Sequence, residues 1–330
     1  MKHVSILIPK GHYSIVNIAG AFQILEAAND LYFQKKGLKL FEIELVSNED
    51  PAREYKGLYT INPTRKLQEV TQSDLIIVPA VHADITTVLE ENKAMVRWIK
   101  ERYNDGAEVA SFCIGIYLVA EAGILNGKVC STHWAHAQQL KSRFPSLDIR
   151  DENFITDDRG VYTSGGAYAF TNLILYLIEK FGGKELAIQI AKAFMIDLDK
   201  GSQATFMVFN GQKDHHDEVV LKVQQYIETN FEEKFTVDEL AATHATIRRT
   251  LERRFKKATG NSVNEYTQRV RIEAAKKQLE MGRKTVNEVM YEVGYSDGKA
   301  FREVFKKYAG ISPVDYRQKF GYSKIEYARV

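Results

Sequence analysis

One sequence pattern occurs twice in the last third of the chain. Residues 236–240 and 254–262 form the first copy, and residues 285–289 and 304–312 form the second. The offset between the copies is 49 residues in the first part and 50 in the second, so one residue is inserted between the matching parts. Such self-similarity marks a duplicated supersecondary unit. The C-terminal third is therefore predicted to fold as two equivalent units.

Each copy predicts two short helices joined by a tight turn. In the second copy, Thr285 and Glu288 form a capping-box pattern, and Gly294 acts as a helix stop. The first copy repeats the capping box with Thr236 and Glu239. The later helix of the second copy has an apolar face at helical spacing, formed by Phe301, Val304, Phe305 and Tyr308. This order of elements predicts a helix-turn-helix unit in each copy.

The later helix of each copy carries a polar, mostly basic stripe opposite its apolar face. A helix that enters the major groove needs this division, because Arg and Lys can donate to guanine O6 and N7 and Glu can accept from cytosine N4. The alternative is that the stripes are the solvated faces of an ordinary helical domain. The predicted DNA contacts are Arg248, Arg249, Glu252, Arg253 and Lys256 in the first copy, and Lys299, Arg302, Glu303, Lys306, Lys307 and Arg317 in the second.

The predicted helix-turn-helix units, 236–260 and 285–310, are separated by a helical pattern over 263–280. A helix of that length spans about 27 Å. Such a connector can hold two reading helices near one turn of DNA apart, about 34 Å. We therefore expect one all-α DNA-binding domain, 218–325, that contacts two successive major grooves and follows a polar linker at 211–217.

Charge separates the two parts of the chain. The formal net charge of the whole chain is only +2. Residues 217–330 hold 22 Lys and Arg against 17 Asp and Glu, whereas residues 1–216 hold 23 against 26. The basic excess coincides with the duplicated units, as expected for a region that binds nucleic acid.

The number of cysteines and the hydropathy of the chain indicate in which cellular compartment the protein is expected. Two cysteines, Cys113 and Cys130, exclude a disulfide framework, and Cys130 is expected to be buried and inert. No apolar run approaches 18 residues and no signal core follows Met1, so we expect a cytoplasmic protein without membrane contact. His215 and His216 lie in the polar linker and are interpreted as linker residues, so neither a metal site nor a cofactor is expected.

The first 195 residues alternate apolar strands with helices, and we expect the N-terminal domain to extend over residues 1–210. Strand patterns lie at 4–8, 41–46, 74–79 and 108–112, and helical patterns lie at 15–29, 91–103 and 115–122. This alternation predicts an α/β domain with a doubly wound, mostly parallel sheet and helices on both faces. Ligands of such sheets bind at the carboxyl ends of the strands.

Residues with chemical potential follow the predicted strands. Cys113 comes directly after the strand 108–112 and before a helix, a geometry related to the nucleophile elbow. The helix dipole and the free N–H groups at such a turn predict a lowered thiol pKa. His133 follows the next strand pattern and could meet Cys113 at the strand ends. Gly165 and Gly166 precede a further helix, where backbone N–H groups could hold an anion or a carbonyl oxygen.

A long and specific motif occupies the second copy: Gly294-Tyr295-Ser296-Asp297, Phe301-Arg302, Phe305-Lys306-Lys307, Gly310, Ser312-Pro313 and Tyr316-Arg317. On these residues, the segment from about 218 to 317 resembles the AraC/XylS family of bacterial transcription regulators. The resemblance implies that three residues of each later helix face bases, namely Arg249, Glu252 and Arg253, and Lys299, Arg302 and Glu303. The chain departs from the family pattern at Gly298, where a side chain is more usual.

A second set of motifs lies in the N-terminal domain: Ser111-Phe112-Cys113-Ile114-Gly115, residues 118–127, Ser131-Thr132-His133-Trp134, residues 163–166 and residues 201–204. On these residues, the domain resembles the PfpI-like branch of the class I glutamine amidotransferase-like superfamily, which implies a flavodoxin-like sheet. With its AraC-type tail, the chain is similar to the GlxA-like group of regulators. The resemblance implies a homodimer through this domain and a small-molecule effector near Asn17, Cys113, Ile114, His133, Gly165 and Gly166.

The same resemblance argues against an enzyme. Enzymatic relatives take an acidic residue from the first helix region, where this chain has Asn17, and Asn172 replaces another frequent Asp. Cys113 and His133 are thus the candidates for catalysis, but they lack an evident acidic partner, and no residue is predicted to be catalytic. Three interpretations of Cys113 remain: a catalytic nucleophile, a ligand-pocket or redox-sensing thiol, and a structural elbow without chemistry.

Together these patterns predict a ligand-responsive transcriptional regulator. Its expected partners are double-stranded DNA, an unidentified small-molecule effector, a second copy of the chain and RNA polymerase. The rival hypotheses are a cysteine-dependent hydrolase or hydratase, and a redox-sensing thiol domain, either of them fused to a DNA-binding tail.

Overall fold

The computed structural model of the chain describes residues 1–49, 53–54, 59–198 and 202–321. Its internal contacts divide the chain into two units, Met1–Gln203 and Ala204–Val330. The division falls seven residues before the predicted end of the first domain at 210. The predicted end of the DNA-binding domain at 325 lies outside the described residues.

Thirteen strands are described in the first unit: β1 Lys2–Leu7, β2 His12–Tyr13, β3 Phe41–Ser47, β4 Arg53–Glu54, β5 Tyr59–Thr60, β6 Arg65–Lys66, β7 Leu75–Val78, β8 Val81–His82, β9 Glu108–Phe112, β10 Val129–Cys130, β11 Asp148–Ile149, β12 Ile155–Asp158 and β13 Val161–Ser164. Seven of them form one sheet in the order β12-β13-β9-β7-β1-β3-β6. All neighbours in it are parallel except β12 and β13. The remaining strands pair as β2 with β8, β4 with β5, and β10 with β11.

Helices cover both faces of this sheet: α1 Ile15–Lys36, α2 Ile85–Glu91, α3 Lys93–Asn104, α4 Ile116–Glu121, α5 Ala137–Arg143, α6 Phe170–Gly182 and α7 Lys184–Ala193. Successive strand residues point to opposite faces and enter different cores. In β9, Val109 packs in the core with α2, α3 and α4, whereas Ala110 and Phe112 pack in the core with α1, α6 and α7. Both faces are therefore buried, which explains the continuous apolar runs and confirms the predicted doubly wound, mostly parallel α/β fold.

Two predicted helices have different bounds in the structure. The pattern at 15–29 continues to Lys36, where Gly37 ends the helix in the left-handed region at φ 71°. The pattern at 91–103 is divided at Asn92, which ends α2 and begins α3. The Asn92 side chain is hydrogen-bonded to both the N–H and the carbonyl of Lys10, at 2.8 and 3.1 Å. This tertiary contact fixes the break, and helical periodicity alone does not reveal it.

The described part of the second unit is helical: α8 Glu218–Thr229, α9 Val237–Thr243, α10 Arg248–Thr259, α11 Val263–Glu280, α12 Val286–Glu292, α13 Gly298–Ala309 and α14 Pro313–Phe320. It has two apolar cores, one for each copy of the sequence pattern. The start of α11, with Val263 and Tyr266, packs with α8, α9 and α10. The end of α11, with Ala275 and Leu279, packs with α12, α13 and α14. One continuous helix thus belongs to both copies and joins them.

The chain before α8 is held on the second unit. The Phe209 ring packs edge-on against Tyr266, with centroids 5.1 Å apart, and the Phe209 N–H donates to Glu273 at 3.1 Å. Further along, Asp217 begins α8 as its N-cap and forms two hydrogen bonds with the Arg254 guanidinium, at 2.6 and 2.8 Å. These contacts explain why the division between the units precedes the segment that the sequence assigns to the end of the first domain.

Candidate DNA-reading helices and strand-end site

The two helix-turn-helix units begin in the same way. Thr236 and Thr285 are N-caps of α9 and α12, and each closes a capping box with the Glu three residues later, as predicted. The turn after each first helix contains a residue in the left-handed region. It is Ala245 at φ 51° in the first unit and Gly294 at φ 81° in the second. The positions are 49 apart, so the duplicated sequence gives a duplicated backbone.

The units also end in the same way. Tyr266 is buried in the first core, and its hydroxyl donates to Glu228 of α8 at 2.6 Å. Tyr316, 50 residues later, is buried in the second core, and its hydroxyl donates to Glu280 of α11 at 2.6 Å. Each unit is therefore closed by a tyrosine that ties its last helix to the helix before its helix-turn-helix. The same rings pack edge-on against Phe255 of α10 and Phe305 of α13, which holds these two helices, the candidate reading helices, in their units.

The predicted DNA contacts lie on the outer sides of these helices. In α10, Leu251 and Phe255 are fully buried, and in α13, Phe301 and Phe305 take their place. The opposite faces are open to solvent: exposed side chains are Arg248, Arg249, Arg253, Lys256, Lys299, Arg302, Glu303, Lys306 and Lys307, and Glu252 is half-buried. The structure thus places the charged stripes of both copies on accessible surfaces of the unit.

Arg317 differs from the other predicted DNA contacts. It is half-buried in α14, and its guanidinium donates to the carbonyl of Lys284, just before α12, at 3.3 Å. This bond holds the closing helix of the second unit against the start of its first helix. Arg317 therefore already has a role in the unit, and its DNA contact remains a prediction.

Cys113 stands at the strand-to-helix turn expected from the sequence. It directly follows β9, adopts φ 52°, and begins a 3-10 turn that leads into α4. A non-glycine residue in the left-handed region is strained. Gly115 follows because no side chain fits there: a Cβ would lie 2.3 Å from the carbonyl oxygen of Pro79. The close approach of this turn to the end of β7 produces the elbow.

The thiol of Cys113 is not activated. Burial raises the pKa of Cys113 to about 11, and the opposing hydrogen bond from the Ile114 N–H is too weak to reverse the shift. The lowered pKa predicted from the helix N-terminus is therefore wrong, because loss of solvent outweighs the backbone N–H groups. Cys130 is also buried, which raises its pKa to about 12, as its predicted inert character requires.

His133 lies near the turn but does not pair with the thiol. The Cys113 carbonyl accepts a hydrogen bond from Thr132 at 3.1 Å, which brings the neighbouring histidine to this part of the sheet. The His133 Nδ1 accepts from the N–H of Ala135 at 3.1 Å. Burial, and in second place His136, lowers the pKa of His133. No hydrogen bond joins this ring to the Cys113 thiol within the residues that the structure describes.

Asn17 connects two loops at the carboxyl edge of the sheet. It is buried in the first turn of α1. Its Oδ1 accepts from the N–H of Ala80 at 3.1 Å, and its Nδ2 donates to the carbonyl of Ala167 at 3.4 Å. An ionised Asp could not donate to that carbonyl. The amide at this position is thus explained by a structural bridge.

The two glycines after β13 have different surroundings. The N–H of Gly165 donates to the Phe154 carbonyl at 3.0 Å, so it cannot hold an anion as the sequence suggests. A Cβ on Gly165 would also lie 2.3 Å from Oε1 of Gln203. Around Gly166, a Cβ would meet nothing within 4 Å. The following helix, α6, starts at Phe170. The open surface of this loop is therefore at Gly166.

Comparison with known proteins decides the family of this chain. Residues 15–180, half of the chain, match the DJ-1/PfpI family, and residues 240–319 match a helix-turn-helix domain. The chain belongs to the DJ-1/PfpI family. It carries an AraC-type helix-turn-helix domain after its DJ-1/PfpI domain, which confirms the resemblances found in the sequence.

Relatives with the same two domains cover most of the chain. It is 26% identical to the HTH-type transcriptional regulator GbdR of Pseudomonas aeruginosa over 93% of this chain and 82% of the relative. It is 24% identical to the HTH-type transcriptional regulator GlxA of Rhizobium meliloti over 66% of this chain and 67% of the relative. A crystal structure of an AraC family transcriptional regulator from Pseudomonas putida superposes with a TM-score of 0.50 at 21% identity, over 59% of this chain and all of the other. That likeness supports the fold.

Gln203 is a residue of the DJ-1/PfpI domain to which the sequence assigns no role. It is almost fully buried, and its Nε2 donates to the carbonyls of Thr132 and Asn153 at 2.9 and 3.2 Å. Its Oε1 has no hydrogen-bond partner in the described residues. Gln203 lies in the motif at residues 201–204, but a motif does not show which hydrogen bonds its side chains form, so only the folded chain reveals this unsatisfied acceptor beside Gly165.

Proposed function

We infer that the protein is a DNA-binding transcriptional regulator. The observation that carries this function is the pair of exposed, mostly basic faces on α10 and α13, in two equivalent helix-turn-helix units joined by one helix. Relatives that span most of the chain are transcriptional regulators. We propose that α10 and α13 enter successive major grooves of one duplex, because the 18 residues of α11 extend over about 27 Å.

A binding measurement with the full chain tests this function. The protein should bind duplex DNA with an affinity that falls steeply as salt concentration rises, because Lys and Arg displace counterions from phosphates. Selection from a random duplex library should then recover a site that extends over about two turns of DNA. Absence of salt-dependent binding to every duplex would refute the function.

We propose that the DJ-1/PfpI domain senses a small molecule at the carboxyl edge of its sheet. The candidate surface contains the open loop at Gly166, the turn at Cys113 and Ile114, and His133. Asn17 and Gly165 form the supporting layer, because their polar groups are engaged within the protein. An effector should raise the unfolding temperature of the full chain. Substitution of Gly166 by Trp should remove that shift while leaving DNA binding intact.

We propose that the DJ-1/PfpI domain is not a cysteine hydrolase or hydratase. A buried thiol with a raised pKa, without a hydrogen-bonded His, lacks the activation that a cysteine nucleophile needs. Turnover of an amide or nitrile that disappears in Cys113→Ala would contradict this view. Modification of Cys113 by mild peroxide would instead support the redox-sensing alternative.

The remaining partners follow from the regulatory function. We propose a homodimer through the DJ-1/PfpI domain, since operators read by dimers mirror the symmetry of the protein. We also propose contact with RNA polymerase and a cytoplasmic location, where a regulator meets its DNA. No helix in the described part of the chain has the length and apolar character to span a bilayer. Light scattering of the purified protein would test the dimer.

A further inference from the structure

The duplication allows the charges of the two reading helices to be compared position by position. With the offset of 50, Arg249 corresponds to Lys299 and Lys256 corresponds to Lys306, so both ends of the stripe are cationic in both helices. The two central positions differ. The order in α10 is Glu252 then Arg253, and the order in α13 is Arg302 then Glu303. Each helix thus presents one carboxylate to DNA, at neighbouring but not equivalent positions.

The carboxylate of α10 is neutralised within the protein. The Nε of Arg248 donates to Oε1 of Glu252 at 3.1 Å, and an Nη of the same guanidinium donates to Asp238 of α9 at 3.0 Å. Arg248 thereby connects the two helices of the first unit. Although such exposed ion pairs contribute little to stability, they place a cation directly beside Glu252.

The second unit has no equivalent connection. With the offset of 50 that applies to the later helices, the counterpart of Arg248 is Gly298, which has no side chain. With the offset of 49 that applies to the first helices, the counterpart of Asp238 is Asn287, which has no charge. Glu303 is exposed and has neither an ion pair nor a hydrogen bond to any residue described by the structure. Gly298 also leaves room for Arg302, since a Cβ there would lie 3.3 Å from the Arg302 guanidinium.

We propose that Glu303 determines base specificity for the second reading helix, whereas Glu252 is held by Arg248 and discriminates little. This inference rests on the proposed DNA-binding function. An unneutralised carboxylate in the major groove can accept from the exocyclic amine of cytosine, and it is repelled by phosphates and by guanine O6 and N7. Such a group contributes to specificity mainly because it rejects the wrong base pairs. A carboxylate beside a guanidinium has lost most of that repulsion.

The test uses the full chain and two matched variants, Glu303→Ala and Glu252→Ala. Sites selected by the wild type from a random duplex library are synthesised, together with every single base-pair change. Binding of the three proteins to each duplex is then measured at one fixed salt concentration. At one position of one half-site, Glu303→Ala should lower the ratio of the affinity for the preferred base pair to the affinity for the next-best base pair by about 10-fold. Its affinity for random duplexes should rise, because a negative charge leaves the DNA-facing surface.

Glu252→Ala should change every such ratio by less than about 3-fold, as expected for a charge that is already paired. Equal effects of the two substitutions, or a Glu303→Ala profile identical to the wild type, would overturn the inference while the DNA-binding function stands. No salt-dependent binding by the wild type would instead refute the function and the inference with it. Because both side chains are solvent-accessible, equal unfolding temperatures of the three proteins verify that the fold is unchanged.

Discussion

The strand-end turn of the first unit and the reading helices of the second unit use their polar groups in opposite ways. At the turn, Cys113 is buried and Asn17 is hydrogen-bonded on both sides by protein groups. On the reading helices, Arg253 and Arg302 are exposed and form no ion pair with any residue that the structure describes. A group engaged by the protein has little capacity left for a ligand. Fewer polar groups are therefore available to a ligand at the Cys113 turn than on the helices α10 and α13.

Alkylation of Cys113 offers the largest expected effect. At pH 7 to 8, the native thiol should react with iodoacetamide about 100-fold more slowly than the unfolded chain, because its pKa is about 11 and not 9.0. The folded pKa is the higher one, so the thiol's contribution to stability is present below pH 9 and is lost as pH rises toward 11. Mass spectrometry at timed intervals measures the rate. Equal labelling of native and unfolded protein would remove the contrast between the two regions.

Arg253 and Arg302 test the other side of the comparison. Replacement of either by Ala should cost about 1 to 3 kcal/mol of binding to the selected site, or about 5- to 150-fold in affinity, if the side chain contacts a guanine. Cys113→Ala serves as the control and should bind the same site as tightly as the wild type. Titration by fluorescence anisotropy measures both. A loss that is equal on specific and random duplexes would identify the arginine as a phosphate contact.

A substitution at Asn17 tests whether its side-chain amide stabilises the fold at the strand-end site. Asn17→Asp removes the donor to the Ala167 carbonyl, which should cost about 1 to 3 kcal/mol of unfolding free energy at neutral pH. The new carboxyl is buried and faces that carbonyl, so its pKa should be raised. When it is protonated, it regains a donor for the carbonyl. The destabilisation should therefore shrink as pH falls and grow as pH rises. Thermal unfolding from pH 5 to 8 measures it; a variant that gains stability with rising pH would contradict the structural role.

Much of this contrast is accessible from the sequence. Periodic apolar positions and capping residues are local signals, so the helix-turn-helix units, their caps and the alternation of strands and helices were predictable. Contacts between distant segments are not local. The break at Asn92 depends on Lys10, and the role of Gln203 depends on the carbonyls of Thr132 and Asn153. The sequence cannot reveal them.

The pKa of Cys113 is the clearest case of a local signal that misleads. The position before a helix predicts activation, and the hydrogen bond from Ile114 acts in that direction. Burial depends on the packing of the whole sheet edge, which no residue near Cys113 encodes. By contrast, the exposure of Arg253 follows from the same helical periodicity that buries Leu251 and Phe255. Sequence reasoning is thus more reliable for surface stripes than for buried turns.

Strain at the turn between the two helices of each unit gives a smaller effect. Ala245 adopts φ 51° where the second unit has Gly294, so Ala245→Gly should stabilise the protein by about 0.5 to 1 kcal/mol. Cys113→Gly removes the same kind of strain, but it also removes a buried side chain, so its net gain should be smaller. Urea unfolding of both variants measures the difference. A destabilised Ala245→Gly would show that the duplicated turns are not energetically equivalent.

The smallest effect concerns the lysines at the ends of the reading helices. Lys307 is exposed in the last turn of α13, and Lys257 is its counterpart in α10. If Lys307 contacts a phosphate, Lys307→Ala should weaken binding to all duplexes alike by a few-fold and lower the slope of log affinity against log salt by about 1. Lys257→Ala should do the same, because the two units carry equivalent helices. A base-dependent loss in either variant would mean that readout extends to the helix end and that Arg302 and Glu303 do not act alone.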